Sequence, residues 1–253
     1  MLRVFEELAI PIDVVTGTSI GGIIGALIAA GYTAAEIEDG FRRARLHRIL
    51  ELDPRRWGIL GTGKLYSMLM EMLGERHIEE LPIPFATIAV DLVSGREILM
   101  TSGRVVDAAL ATSAVPGIFP PVQIADYLLA DGGIFNNVPV DAALRLGAGR
   151  TIAVDLIGVH HEFTIPDEPP SLSLRRFLPL TQLEFAERAI ELMVRRITAE
   201  RLQAVPPDLL LAPDVSAISM FEVTRIDDGL TSGEAVARAY ADELIALREW
   251  RMA

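Results

Sequence analysis

No cysteine occurs among the 253 residues of this chain, and only four histidines do. The first absence excludes disulfide staples, thiolate metal sites and a cysteine nucleophile, while saying little about compartment. The second leaves His47, His77, His160 and His161 as the whole supply of imidazole bases. Positive charge is also short: 23 Lys and Arg stand against 35 Asp and Glu, a formal net charge of −12. That balance argues against nucleic-acid binding, which needs clustered cations, and against long-range attraction to an anionic membrane. One local cluster runs the other way: Arg42, Arg43, Arg45, Arg48, Arg55 and Arg56, followed by Trp57. It reads either as a solvated helix face or as a contact with anionic lipid. Low-complexity segments, internal repeats and clear linkers are missing too. With half of its residues hydrophobic, the chain is globular and long enough to bury one substantial core.

The uncharged run 14–35 reaches the length of a membrane span. Its five glycines, three threonines and one serine keep its hydrophobicity low. The preceding MLRVFEELAIPID reads as an amphipathic helix with acidic residues, unlike a signal-peptide n-region. Gly21 and Gly25, spaced G-x-x-x-G, then signify close helix packing. The run reads as a buried strand, turn and helix, in a chain expected in the cytoplasm or peripherally at a membrane.

Residues 2–9 read as a short helix, Val14 to Thr16 as the end of a buried strand, and Ile20 to Ala30 as a helix apolar all round. Gly31 fits a helix C′ position, and Thr33 with Glu36 spells a capping box for the next helix. PFATIAVDLVSGREILMTSG reads as a hairpin turning at Ser94-Gly95. VVDAALATSAVPGIFPPV reads as a helix running into a Pro-rich loop, YLLADGG as a short strand ending at Asp131, and PVDAALRLGAG as a helix. RTIAVDLIG and DLLLAPDV read as strands around a helix from Leu180 to Ala204, with a last helix over Ser232 to Arg251. Residues 165–173, IPDEPPSLS, read as a loop. Alternating strands and helices predict an α/β fold: three layers, α/β/α, with a mainly parallel central sheet.

Gly17-Thr18-Ser19-Ile20-Gly21 fits G-x-S-x-G where a strand gives way to a helix, the context of a nucleophile elbow. On such a turn the positions two before and two after the serine crowd together, and glycine at both relieves this. The following helix aims its N-terminal amides at the site, so the Ile20 N–H can donate to a developing oxyanion. The plain alternative makes Ser19 an ordinary N-cap. A serine nucleophile needs a base. His47 and His77 lie in charged segments and read as surface residues. His160 and His161 follow a strand at its carboxyl end, where the active-site loops of parallel sheets gather. Asp131 is the contrary candidate, since Gly132 and Gly133 would let the backbone pass close by; its plain alternative is an ordinary D-G turn.

Three segments in this order, IPIDVVTGTSIGGIIGALIAAGY, ATSAVPGIFPPV and LLADGGIFNNVPV, resemble the patatin-like phospholipase family, particularly its small bacterial members. The resemblance runs through nearly the whole chain and includes PDLLLAPDV near the end. It implies one patatin-like domain over 1–253, N-terminally truncated relative to the family. It also implies a serine acyl hydrolase acting on (phospho)lipid or related acyl esters through a Ser-Asp pair. Ser19 would be the nucleophile and Asp131 the base, with no cofactor and no calcium needed for the chemistry. The chain departs from the family at its start: the usual first strand and G-G-G-x-[RK]-G loop, which supplies the main oxyanion hole, have no counterpart before Ser19. Two expectations follow. Either the chain starts at an internal methionine after a further segment of roughly 20 residues, or it is a weakly active or silent lipid-binding relative. Retention of both Ser19 and Asp131 favours the first. The sheet is then expected to carry an unpaired edge or a gap.

GILGTGKL (Gly58 to Leu65) nearly spells a P-loop, but Leu65 stands where a hydroxyl must bind magnesium and no apolar strand precedes it. It reads as a loop leading into a helix whose Met68, Met70 and Met72 serve core packing or line an acyl-chain groove.

Overall fold

The computed structural model describes residues 1–43, 51–52, 58, 60–159, 180–215, 218 and 225–252. His47, His160, His161, Arg45, Arg48, Arg55, Arg56, Trp57 and the loop 165–173 lie outside the described residues.

The chain opens with α1 (Leu2–Glu7), β1 (Val15–Thr18), α2 (Ile20–Ala29) and α3 (Ala34–Arg43). Next come β2 (Glu51–Leu52), β3 (Leu60–Gly61), α4 (Gly63–Leu73), β4 (Phe85–Asp91), β5 (Arg96–Met100) and α5 (Val105–Thr112). Then follow β6 (Val122–Ile124), β7 (Tyr127–Asp131), a 3-10 turn (Gly132–Ile134), α6 (Val140–Arg145) and β8 (Ile152–Val154). The remaining elements are α7 (Leu180–Ala204), β9 (Leu209–Leu211), α8 (Ile226–Ala239) and α9 (Ala241–Met252). The α/β class is as the sequence implies, a central sheet flanked by helices. The elbow segment, the hairpin, the Asp131 strand and α7 fall where the sequence puts them. The last helix differs: it begins earlier, at Ile226, and is interrupted at Tyr240 before α9 restarts with Asp242 and Glu243 in its first turn. Acidic residues there favour a helix start.

The central sheet is mixed and organised around β4, every residue of which is buried. β5 runs antiparallel along one edge of β4, from Thr87 to Asp91. On the opposite edge β1 lies parallel to Phe85–Ile88, and β7 lies antiparallel to Ala89–Asp91. Two strands thus share one edge of β4, meeting with their carboxyl ends together: Thr18 pairs with Ile88 and Asp131 with Ala89, the next residue along. β6, read from sequence as part of a loop, extends the sheet beyond β7. β8 and β9 pair in parallel as a separate two-stranded sheet. β1 ends the strand order of the main sheet among the described residues.

Helices cover both faces of β1. Val15 would touch a Cβ placed on Gly25 of α2, whereas Thr16 and Thr18 on the other face donate hydrogen bonds to the carbonyls of Pro139 and Asn136. Glycine is a poor helix former, by up to about 1 kcal/mol per residue. α2 nevertheless carries Gly22 and Gly25, because close packing against the sheet and α5 needs a thin helix face there. Ala26, Leu27 and Ala29 of this helix are completely buried with Val105, Ala109 and Ala111 of α5 in the main core. Each large side chain so buried contributes on the order of 1.5–3 kcal/mol. Thr33 and Glu36 form the expected reciprocal cap on α3. Arg42 pairs with Glu38 and Asp227, and Arg43 with Asp39. Met68 and Met72 belong to the core and also line a cavity of about 450 Å³ with Arg43, Lys64, Ser67 and Glu71. Among the described residues no helix is long and apolar enough to cross a membrane; the uncharged run 14–35 is divided into strand, helix and turn.

Candidate active site

The head-to-head meeting of β1 and β7 decides the site. Ser19 is the first residue after β1 and Asp131 the last of β7, so the shared template strand β4 brings them side by side. Ser19 has φ 55° and ψ −127°, a conformation that L-residues avoid and that costs on the order of 1–3 kcal/mol. It stands at the N-cap position of α2, yet its side chain makes no capping bond. Its hydroxyl lies close enough to the Asp131 carboxylate to pull that group's pKa down. The ordinary N-cap role is therefore not the one Ser19 fills.

Asp131 is buried, and its Oδ1 also accepts the Gly133 N–H at 2.7 Å. Burial pushes its carboxyl up to about 6, against the opposing pull of the Ser19 hydroxyl and the Gly133 amide. The two glycines after it are tight for different reasons. A Cβ on Gly132 would lie 2.3 Å from the Ile88 carbonyl, so the turn passes directly over β4; one on Gly133 would meet Asp131 Oδ1 at 3.0 Å. Fully buried Asn136 holds the rest of this turn, donating to Asp141 at 2.9 Å. Arg201 of α7 reaches in to the Phe135 carbonyl, Glu97 and Asp141.

The G-x-S-x-G spacing works differently from the sequence argument. Gly17 is indeed crowded: a Cβ there would lie 2.2 Å from the Gly21 carbonyl oxygen. A Cβ on Gly21 itself meets nothing within 4 Å, because the helix presents its carbonyl, not its α-carbon, to Gly17. The second constrained glycine is Gly22, where a Cβ would strike Thr87 Oγ1 at 2.5 Å and Thr112 Cγ2 at 2.7 Å. The Ile20 N–H opens α2 beside Ser19 and takes no protein acceptor among the described residues. The Ser19 N–H does have one, Thr112 Oγ1 at 3.0 Å.

Of the histidines, His77 caps the short 3-10 turn Ile78–Glu80 at the surface beside Glu79 and Glu80, and bridges to Arg104 at the end of α5 opposite Thr112. Sequence reasoning missed Gly22, Thr87 and Thr112. The only signal for Thr112 was its place in ATSAVPGIFPPV, a segment to which the residues themselves assigned no task.

Comparison with known proteins gives this geometry a family. A model of the patatin-like phospholipases, described as "Patatin-like phospholipase", matches residues 1–144, a span holding both Ser19 and Asp131. The chain belongs to the patatin-like phospholipase family. It is similar to an uncharacterised NTE family protein of Mycobacterium tuberculosis, 30% identical over 93% of this chain and 43% of the relative. A second uncharacterised NTE family protein of that organism is 31% identical over 62% of this chain and 44% of its own length. Patatin-like phospholipase domain-containing protein 7 of Rattus norvegicus is 31% identical over 68% of this chain and 13% of that protein. The chain thus spans less than half the length of these curated relatives. Within this patatin-like fold, Ser19, Thr112 to Ala114 and Asp131, one piece from each of the three quoted segments, come together where β1 and β7 meet.

Proposed function

We propose that the chain is a serine acyl hydrolase cleaving ester bonds of phospholipids or related acyl esters. The observation that carries this reading is the state of Ser19: strained, released from helix capping, and set beside a buried carboxylate. A carboxylate held near 6 is ionised at neutral pH yet basic enough to accept a proton from the attacking hydroxyl. Ser19 Oγ attacks the ester carbonyl while Asp131 takes its proton. The tetrahedral intermediate expels the alcohol, which leaves with that proton, and an acyl-Ser19 remains. Asp131 then draws a proton from water, which attacks the acyl carbon and frees the acid and Ser19. The Ile20 N–H, at the positive end of α2, donates to the oxyanion in both halves.

Hydrolysis of a soluble short-chain p-nitrophenyl ester tests this. Ser19→Ala should lower kcat by at least about 10³-fold. The double variant His160→Ala, His161→Ala should retain activity, since no imidazole takes part. Its loss there would favour a Ser-His esterase. An acyl ligand bound without any Ser19-dependent turnover would favour a silent binding protein.

A further inference from the structure

We infer that the segment Thr112–Ala114, with Thr87, is a clamp that fixes the separation and orientation of Ser19 and Asp131, Thr112 being its positioning residue. This rests on the hydrolase reading for its catalytic consequence, but the geometry stands by itself. Thr112 Oγ1 accepts the Ser19 N–H at 3.0 Å and donates to the Ile88 carbonyl at 2.6 Å. Two residues on, the Ala114 carbonyl accepts the Asp131 N–H at 2.9 Å. One three-residue segment therefore holds the backbones of both groups. Thr87 completes the clamp by donating to the Gly17 carbonyl at 2.7 Å, on the other side of the serine.

Thr112 closes α5, and a hydroxyl there ordinarily bonds back to the carbonyl four residues earlier. Ser113, its neighbour, does so, donating to Ala109 at 2.8 Å. Thr112 does not; its hydroxyl leaves the helix and spans from the serine turn to β4. Both Thr112 and Thr87 are completely buried, so each hydroxyl is shielded from bulk water. The Thr112 methyl packs against Gly22, which explains why that glycine has no room for a side chain. Removing the Thr112 hydroxyl takes this partner from the half-buried Ser19 N–H and from the buried Ile88 carbonyl, and the turn that carries Ser19 then relaxes.

The test compares Thr112→Val, which keeps the shape and loses the oxygen, with Thr112→Ser, which keeps the oxygen. Thr112→Val should lower kcat on the soluble ester, and the rate of fluorophosphonate labelling, by about 10²-fold with KM little changed. Thr112→Ser should restore most of both. Amide exchange of a peptide covering 15–21 should quicken by about tenfold in Thr112→Val alone. If Thr112→Val does not fold, Thr87→Val against Thr87→Ser supplies the same comparison. The clamp is overturned if the valine variant labels at the wild-type rate, or if both variants lose activity in step with their melting temperatures. Should the unmodified protein show no Ser19-dependent labelling, the hydrolase reading fails, and exchange alone decides: protection lost in the valine variant and kept in the serine variant upholds the clamp, unchanged protection overturns it.

Discussion

Asp131→Asn should abolish turnover while making the protein more stable. Asparagine keeps the size of the side chain and still accepts the Gly133 N–H, so the turn survives and only the charge is removed. With no base for the Ser19 proton, kcat should fall by about 10³-fold or more, within the range for losing a general base. Stability moves the other way. The folded protein holds Asp131 at about 6 against an ordinary value of 3.8, so it disfavours the ionised form. Below pH 3.8 both folded and unfolded chains carry the proton, and burial of the acid costs least. Between 3.8 and 6 the unfolded chain ionises first and stability falls; above 6 the loss is complete, on the order of 3 kcal/mol. Asp131→Asn removes that loss. Its melting temperature should exceed the wild-type value at pH 8 and converge with it near pH 4. If Asp131 were only a turn cap, the pH dependence of stability would still respond, because burial alone sets it, but activity would not. With Asp131 as the proposed base, kcat/KM should rise with pH and level off above about 6.

Gly17→Ala and Gly21→Ala should behave oppositely, although the two glycines are symmetric in the motif. At Gly17 the new methyl would lie 2.2 Å from the Gly21 carbonyl oxygen and 2.7 Å from the Gly22 nitrogen. These are backbone atoms that cannot swing aside. The expected cost is about 3 kcal/mol or more, the upper end for overpacking, with loss of activity because the turn must open. At Gly21 the methyl meets nothing, and the residue lies in the first turn of α2. There alanine should stabilise by roughly 0.5–1 kcal/mol through helix propensity. Chemical denaturation of the two variants measures both signs at once.

The site was legible in the sequence where its logic is local. A strand ending in G-x-S-x-G and another ending in D-G-G each announce a sharp turn with one polar side chain, and both turns formed at those residues. What joins them is not local. The sequence alternates strands with helices and so suggests parallel pairing. The decisive feature is that β7 runs antiparallel to β4 and meets β1 end to end, and only the register of three strands expresses it. Thr112 was illegible for the same reason: its partner amide is 93 residues away, and a threonine at a helix end has many plainer uses. Gly21 shows the converse, a motif residue whose spacing suggested crowding that the helix geometry transfers to its neighbour Gly22.

The most direct test of the central claim is to treat the protein with a fluorophosphonate across pH 5–8 and locate the adduct by peptide mass spectrometry. A single adduct is expected, on Ser19, forming at a rate that rises with pH with a midpoint near 6 and absent from Asp131→Asn. An adduct on another serine, or ester hydrolysis that persists while Ser19 remains unmodified, would contradict it.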